Sequence, residues 1–347
     1  MKKLIFIILI SFPFFVKGLN VTATSFILMD TDNRRIITSK NIHEIRSVAS
    51  ISKIMTAVLA IESGKMDDEI LINDVIKKAY GSAIYIQIGE KITLRDLVYG
   101  LMLRSGNDAA LAIADYVGNG IDNFVGMMNH KAFEIGMKNS NFNNPSGLDE
   151  EKGNYSTAYD MAILTSYAMH LGEYKKIVKT KKYTLQTNKN TYIWNNKNKL
   201  LRLYEYTTGG KTGFTKKARR TLVTTASKNN INFVVITLND GNDFADHKDL
   251  FEYGFSNYKR YKILKKGIIN IKDDTYYKKY KLYIKNNFYY ILNNSEKNSI
   301  QIKYQLLKIK KIKNRQQIGK IIVSLGDKKI KEEKIYIKIN SKKRNKW

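Results

Sequence analysis

Residues 49–56 read Ala-Ser-Ile-Ser-Lys-Ile-Met-Thr. Within them Ser50 and Lys53 stand three apart, at the head of an apolar set (Ile51, Ile54, Met55, Val58 and Leu59) that recurs at helical spacing as far as Glu62. On a helix that interval puts the hydroxyl and the amine on one face, one turn apart. A serine hydroxyl is a poor nucleophile without an adjacent base. A lysine amine serves as that base once burial or a second cation lowers its pKa. A helix N-terminus at this point also aims backbone N–H groups at a developing oxyanion. Alone, the pair says little, because Ser256-Asn-Tyr-Lys259 repeats its spacing.

Two further strings give it weight. Ser105-Gly106-Asn107 falls between an apolar-faced helix opened by Thr93-x-x-Asp96 and a second helix expected over 108–117. Its Ser-x-Asn pattern also occurs at Ser39-Lys-Asn41 and Ser227-Lys-Asn229, so it too is weak by itself. Lys211-Thr212-Gly213, preceded by Gly209-Gly210, occurs once. A phosphate-binding P-loop would need a glycine where Glu205 stands and a helix where strand-like residues follow, which excludes that reading. Ser-x-x-Lys, Ser-x-Asn and Lys-Thr-Gly in this order form a set associated with serine enzymes that bind penicillin.

Around these strings the chain alternates in type. Strands are expected at 24–30 and 34–39, then helices at 50–62, from 93, 108–117, 122–136 and 157–170. Strands follow at 209–213, 221–226 and 232–238, with a closing helix at 246–255. Strand, helical block, strands, helix is the order of an α/β (α+β) sandwich on an antiparallel sheet. Beyond about residue 258 the texture becomes Lys/Ile/Tyr alternation, with strands at 321–324 and 334–339 about a Gly326-Asp327 turn, hence a small C-terminal β module.

Residues 21 to about 255 resemble the low-molecular-mass penicillin-binding proteins, the D-alanyl-D-alanine carboxypeptidase family. The likeness is carried by Ile27-Leu-Met-Asp30, residues 49–56, Leu103-Arg-Ser-Gly-Asn-Asp-Ala-Ala110, Asn144-Pro-Ser-Gly-Leu148, Tyr155-Ser-Thr-Ala-Tyr-Asp-Met161 and Gly210-Lys-Thr-Gly-Phe-Thr215. It implies the serine β-lactamase/DD-peptidase-like fold. It also implies hydrolysis of peptidoglycan stem peptides ending in D-Ala-D-Ala through a Ser50 acyl-enzyme, in cell-wall biogenesis, with β-lactams as covalent inhibitors. Under this resemblance Lys53 is the base, Ser105 relays a proton to the leaving amine, and Asn107 bonds Lys53 and the substrate amide. Lys211 and Thr212 hold the terminal carboxylate, Gly213 lets the strand edge approach, and the N–H groups of Ser50 and Phe214 form the oxyanion hole. Two features depart from the family pattern. Ala218-Arg219 stands where Ala-Gly is usual, and the chain ends on period-two Lys334-Ile-Tyr-Ile-Lys-Ile339 in place of an amphipathic membrane helix.

Other readings are narrower. A class A β-lactamase carries an E-x-x-L-N string between the second and third motifs. The nearest match here, Glu150-Glu-Lys-Gly-Asn154, lacks the leucine. A DD-endopeptidase would use the same motifs, whereas a non-catalytic wall-binding protein would have lost at least one of their residues.

Composition excludes whole chemistries. The 347 residues contain no cysteine, which removes thiol catalysis, thiolate metal sites and disulfides. Four scattered histidines form no ligand spacing, so neither metal nor cofactor is expected. Lys2 and Lys3, the apolar run Leu4 to Val16 and the small exit residue Gly18 read as a signal peptide over 1–18, hence export to the cell envelope or beyond. A catalytic domain over 19–257 and a basic module over 258–347 complete the division. Of the net charge of +29, the stretch from Lys259 onward supplies +21. For an exported protein such charge points away from nucleic acid and toward anionic lipid or wall polymer, with compositional drift toward lysine as the alternative.

Overall fold

The computed structural model describes residues 19–149, 153–271 and 274–339. The expected signal peptide, residues Glu150, Glu151 and Lys152, and the last basic residues lie outside that range. Five strands form the central sheet: β1 (Ser25–Asp30), β2 (Arg35–Lys40), β3 (Thr207–Thr215), β4 (Arg219–Lys228) and β5 (Ile231–Leu238). They run in the order β2-β1-β5-β4-β3, each antiparallel to its neighbour. β3, which carries Lys211-Thr212-Gly213, is therefore an edge strand with one free side.

All six residues of β1 are buried because the sheet is covered on both faces. Side chains alternate across a strand. Accordingly Ile27 and Met29 join one apolar cluster with the helical block, while Phe26 and Leu28 pack with Leu250 and Phe251 of the closing helix Asp243–Asn257. His247 of that helix lies between the hydroxyls of Thr224 and Thr237, and burial holds its ring neutral. The helical block centres on α1 (Lys53–Glu62), whose first eight residues are all buried. Such a helix is wrapped by its neighbours, here including α2 (Leu94–Arg104) and α3 (Asn107–Gly118). The expected cap of α2 is in place, with Thr93 Oγ1 accepting the Asp96 N–H at 3.1 Å. Thr157 caps Ala158–Ala168 in the same way at 3.0 Å.

Two local features depart from the sequence reading. First, α1 begins at Lys53; Ser50 lies in a preceding 3₁₀ turn, Ala49–Ser52. A 3₁₀ turn has three residues per revolution, so positions 50 and 53 eclipse, which aligns the pair better than an α-helical turn would. Second, a hairpin of Lys182–Gln186 and Thr191–Asn195, unread in the sequence, packs its Tyr183 ring on Tyr99 of α2.

The closing helix ends at Asn257 and a new strand starts at Lys259, leaving one residue between them. Lys259–Leu264 pairs with Phe288–Leu292. Beyond it a five-stranded antiparallel sheet runs Gly267–Ile269, Lys281–Ile284, Lys328–Lys338, Gln317–Leu325, Ile300–Leu306 over its own apolar core. Arg35 of β2 fastens this module to the central sheet. Its guanidinium donates to the Ile291 carbonyl at 2.6 Å, pairs with Glu296, and lies 5.2 Å from the Tyr258 ring centre and 5.1 Å from that of Tyr290.

At the β3–β4 turn Arg219 sits at φ +60°, in the left-handed region that glycine adopts freely. The arginine keeps the turn but bears its strain, since a left-handed residue with a Cβ costs about 1–2 kcal/mol. Arg219→Gly should therefore raise stability by about 0.5–1 kcal/mol after the entropy of the added glycine is set against it. Urea denaturation midpoints check this, and a destabilised variant would place a productive contact on the arginine side chain.

Candidate active site

The cleft is assembled from three loops and one strand edge. Ser50 follows Ala49, which holds φ +50° and turns the chain sharply into the 3₁₀ turn. Ser105 ends α2 in the left-handed region at φ +67°, and after Gly106 the chain enters α3 at Asn107. The short Ser-Gly-Asn joint thus sets a hydroxyl and an amide at the meeting of two helices. Ser50, Ser105, Thr212, Gly213 and Phe214 line one cavity of about 420 Å³.

Lys53 lies beneath its floor, completely buried. Its Nζ donates to Ser50 Oγ at 3.0 Å, to Asn107 Oδ1 at 2.6 Å, and to the Ser146 carbonyl. The Asn107 amide donates in turn to the Tyr80 carbonyl at 2.6 Å, which fixes its oxygen toward the lysine. Burial is the main reason the Lys53 pKa falls to about 7; Lys197 pushes it down further and Asp108 draws it back up.

Lys211 is also buried, its Nζ donating to the Thr212 carbonyl at 2.7 Å. Desolvation first, then the charges of Lys53 and Lys197, hold it well below the usual lysine value. Both lysines therefore hold their protons less tightly than a free lysine does.

Gly213 is where the strand and the Ser50 turn nearly touch. A Cβ at this position would press on Thr221 Oγ1 and stand 3.0 Å from the Ser50 amide nitrogen and 3.1 Å from that of Ile51. Thr221 Oγ1 itself donates to the Val48 carbonyl at 3.1 Å, tying the strands to the segment that leads into Ser50.

Several contributors are silent in the sequence reading. The Ser146 carbonyl belongs to the Asn144-Pro-Ser-Gly-Leu148 stretch. There Asn144 Oδ1 accepts from the N–H groups of Ser146 at 3.2 Å and Gly147 at 2.7 Å. Asn154 links that loop to the catalytic turn, donating to Asn144 O at 2.9 Å and Ser52 Oγ at 3.0 Å. The carboxylate of Asp108 accepts from the amides of Ile84, Tyr85 and Ala109 and so shapes the segment beside Ser82 at the cleft wall. Lys197, also on that wall, had no motif to mark it. Ser256 and Lys259, by contrast, lie at a helix end and on an exposed strand, away from this cavity. Among the described residues, no group of three or more His, Cys, Asp or Glu could hold a metal.

Comparison with known proteins follows this geometry. The family model described as D-alanyl-D-alanine carboxypeptidase matches residues 13–242, and that of the penicillin-binding protein 5 C-terminal domain matches 258–343. D-alanyl-D-alanine carboxypeptidase DacF of Bacillus subtilis is 33% identical over 254 residues, covering 71% of this chain and 65% of that protein. D-alanyl-D-alanine carboxypeptidase DacA of Haemophilus influenzae is 29% identical over 336 residues, covering 89% and 83%. The crystal structure of penicillin binding protein 5 from Haemophilus influenzae superposes with a TM-score of 0.77 at 28% identity, over 92% of this chain and 97% of that one.

A base must be neutral to accept a proton, and with Lys53 in that role its pKa of about 7 sets the pH dependence expected. Acylation by a penicillin should climb about tenfold per pH unit below 7 and level off above about pH 8. Stopped-flow rates across that range provide the check; a profile flat down to about pH 5.5 would remove Lys53 from the proton transfer.

Proposed function

The chain belongs to the D-alanyl-D-alanine carboxypeptidase family, and from that premise we propose that it removes the terminal D-alanine of peptidoglycan stem peptides through an acyl-enzyme on Ser50. The observation that carries this reading is the buried Lys53 amine, held between Ser50 Oγ and Asn107 Oδ1 and facing no carboxylate partner of its own. Ser50 Oγ attacks the carbonyl carbon of the penultimate D-alanine while its proton passes to neutral Lys53. The N–H groups of Ser50 and Phe214 receive the oxyanion; the closeness of the Gly213 backbone to the Ser50 amide supports this pairing. As the tetrahedral adduct collapses, the C–N bond breaks. The proton travels from Lys53 through Ser105 to the leaving amine, and water then hydrolyses the ester.

Lys211 and Thr212 receive the terminal carboxylate. For a buried lysine that otherwise resists its charge, an anionic substrate is the natural partner. The free edge of β3 offers the backbone along which an extended peptide can lie. A β-lactam mimics the same dipeptide end and acylates the same serine.

We assign residues 1–18 to export and 19–257 to catalysis. The basic module from 258 holds the enzyme at an anionic surface without contributing to the cleft. No helix among the described residues is long and apolar enough to cross a membrane.

The test is turnover of a peptide ending in D-Ala-D-Ala beside a crosslinked dimer and a penicillin. Release of D-alanine, with one penicillin mass on the peptide containing Ser50, is expected; label persisting in Ser50→Ala would overturn the assignment. Lys53→Arg, which keeps charge but cannot deprotonate, should slow acylation by about 10²-fold or more. Preferential cleavage of the dimer would make the protein an endopeptidase, and rapid penicillin turnover a β-lactamase.

A further inference from the structure

The C-terminal module presents one end whose side chains suit a lipid surface. Two loops meet there, residues 274–280 and 307–316. Tyr276 OH donates to the Ile309 carbonyl at 2.9 Å, and the buried Tyr277 donates to the Leu307 carbonyl while its oxygen accepts the Ile309 N–H at 3.4 Å. The rings of Tyr276 and Tyr280 pack on Tyr277, at 4.8 Å and 6.4 Å between centroids. Tyr277 thus pins both loops from within and leaves the outer surface to Tyr276, Tyr280 and Leu307, which are 44%, 36% and 60% exposed.

This apolar tip is set among cations. Lys278 and Lys279 lie between the two exposed tyrosines in sequence, and Lys308 and Lys310 follow Leu307; all four are exposed. None has an ion-pair partner among the described residues. The carboxylate of Asp274, the acidic group of these loops among the described residues, accepts the N–H groups of Tyr276 and Tyr277 at 3.1 Å. Amphipathic tyrosines, an apolar leucine and surrounding lysines are the composition of a bilayer–water interface contact. Rings sit at headgroup depth, the leucine goes deeper, and the ammonium groups meet lipid phosphates. A purely ionic wall polymer would use the lysines but leave Tyr276, Tyr280 and Leu307 in water.

We propose that this tip is the membrane-docking site of the protein and that its partner is the surface of an anionic phospholipid bilayer. The proposal rests on the reading of the basic module as an anionic-surface anchor and narrows it to one end and one partner. Attachment of this kind needs no spanning helix. It is shallow and reversible, and it weakens with salt as the Lys–phosphate attraction is screened.

The chain lacks cysteine, so Leu307→Cys in the full-length protein gives a unique position for an environment-sensitive fluorophore. Phosphatidylglycerol-containing vesicles should shift its emission to the blue, and lipids brominated near the headgroup should quench it. The same label at Lys328→Cys, where the chain leaves the Gly326-Asp327 turn at the other end of the sheet, should respond little. Tyr276→Ser with Leu307→Ser should weaken vesicle binding about tenfold at unchanged penicillin acylation, and Lys278→Glu with Lys308→Glu should do so at low salt only.

Equal responses at positions 307 and 328, or full vesicle binding by the Tyr276/Leu307 variant, would overturn the tip while leaving the anchor reading intact. Binding to lipid-free walls but not to vesicles would replace the lipid by a wall polymer. Salt-insensitive absence of binding to both would end the anchor reading itself.

Discussion

A completely buried lysine amine with three acceptors and no carboxylate is the constraint around which the catalytic half is arranged. To place Lys53 Nζ against Ser50 Oγ, Asn107 Oδ1 and the Ser146 carbonyl, three separate segments must converge to within hydrogen-bonding distance. Each is braced in turn. Asn154 joins the Ser146 loop to Ser52, Asn107 leans on Tyr80, and Thr56 Oγ1 donates to the Pro145 carbonyl at 2.7 Å. Gly147 belongs to the same bracing, because a Cβ there would drive into the Ala49 carbonyl. Burial outweighs the pull of Asp108 and lowers the pKa of this amine to about 7, the range that suits a general base. Polar contacts that would be costly if half satisfied are here nearly complete.

Lys211 applies the same physics to the opposite end. Burial first, then the charges of Lys53 and of Lys197 at the cleft wall, hold its pKa well below the usual lysine value.

Much of this was legible because the informative groups are side chains at fixed intervals. Ser50, Lys53, Ser105, Asn107 and Lys211 could be singled out by spacing and order, and the strands 221–226 and 232–238 by β-branched runs. What escaped was written in backbone or in distance. The Ser146 carbonyl has no residue signature. Lys197 is one lysine in a chain rich in them, and Asp108 acts through amides of residues about 24 positions away. The 182–195 hairpin alternates exposed and half-buried positions too weakly to stand out before its partner α2 is known. In the C-terminal module, Lys/Ile/Tyr alternation continues through strand and loop alike, so several strands merged into one texture. The turn residue Arg219 shows the converse: an unexpected side chain, yet a backbone that keeps the left-handed conformation.

The Arg35 clasp joins the two halves with hydrogen bond, ion pair and two aromatic faces, across a single-residue connection. Asn33 adds a bond from its amide to the Tyr289 carbonyl at 3.2 Å. A joint of that kind has little room to bend. The catalytic half is held less like a tethered ball than like a lamp on a fixed stand. Wherever the C-terminal module is held, the cleft stands at one set distance from it.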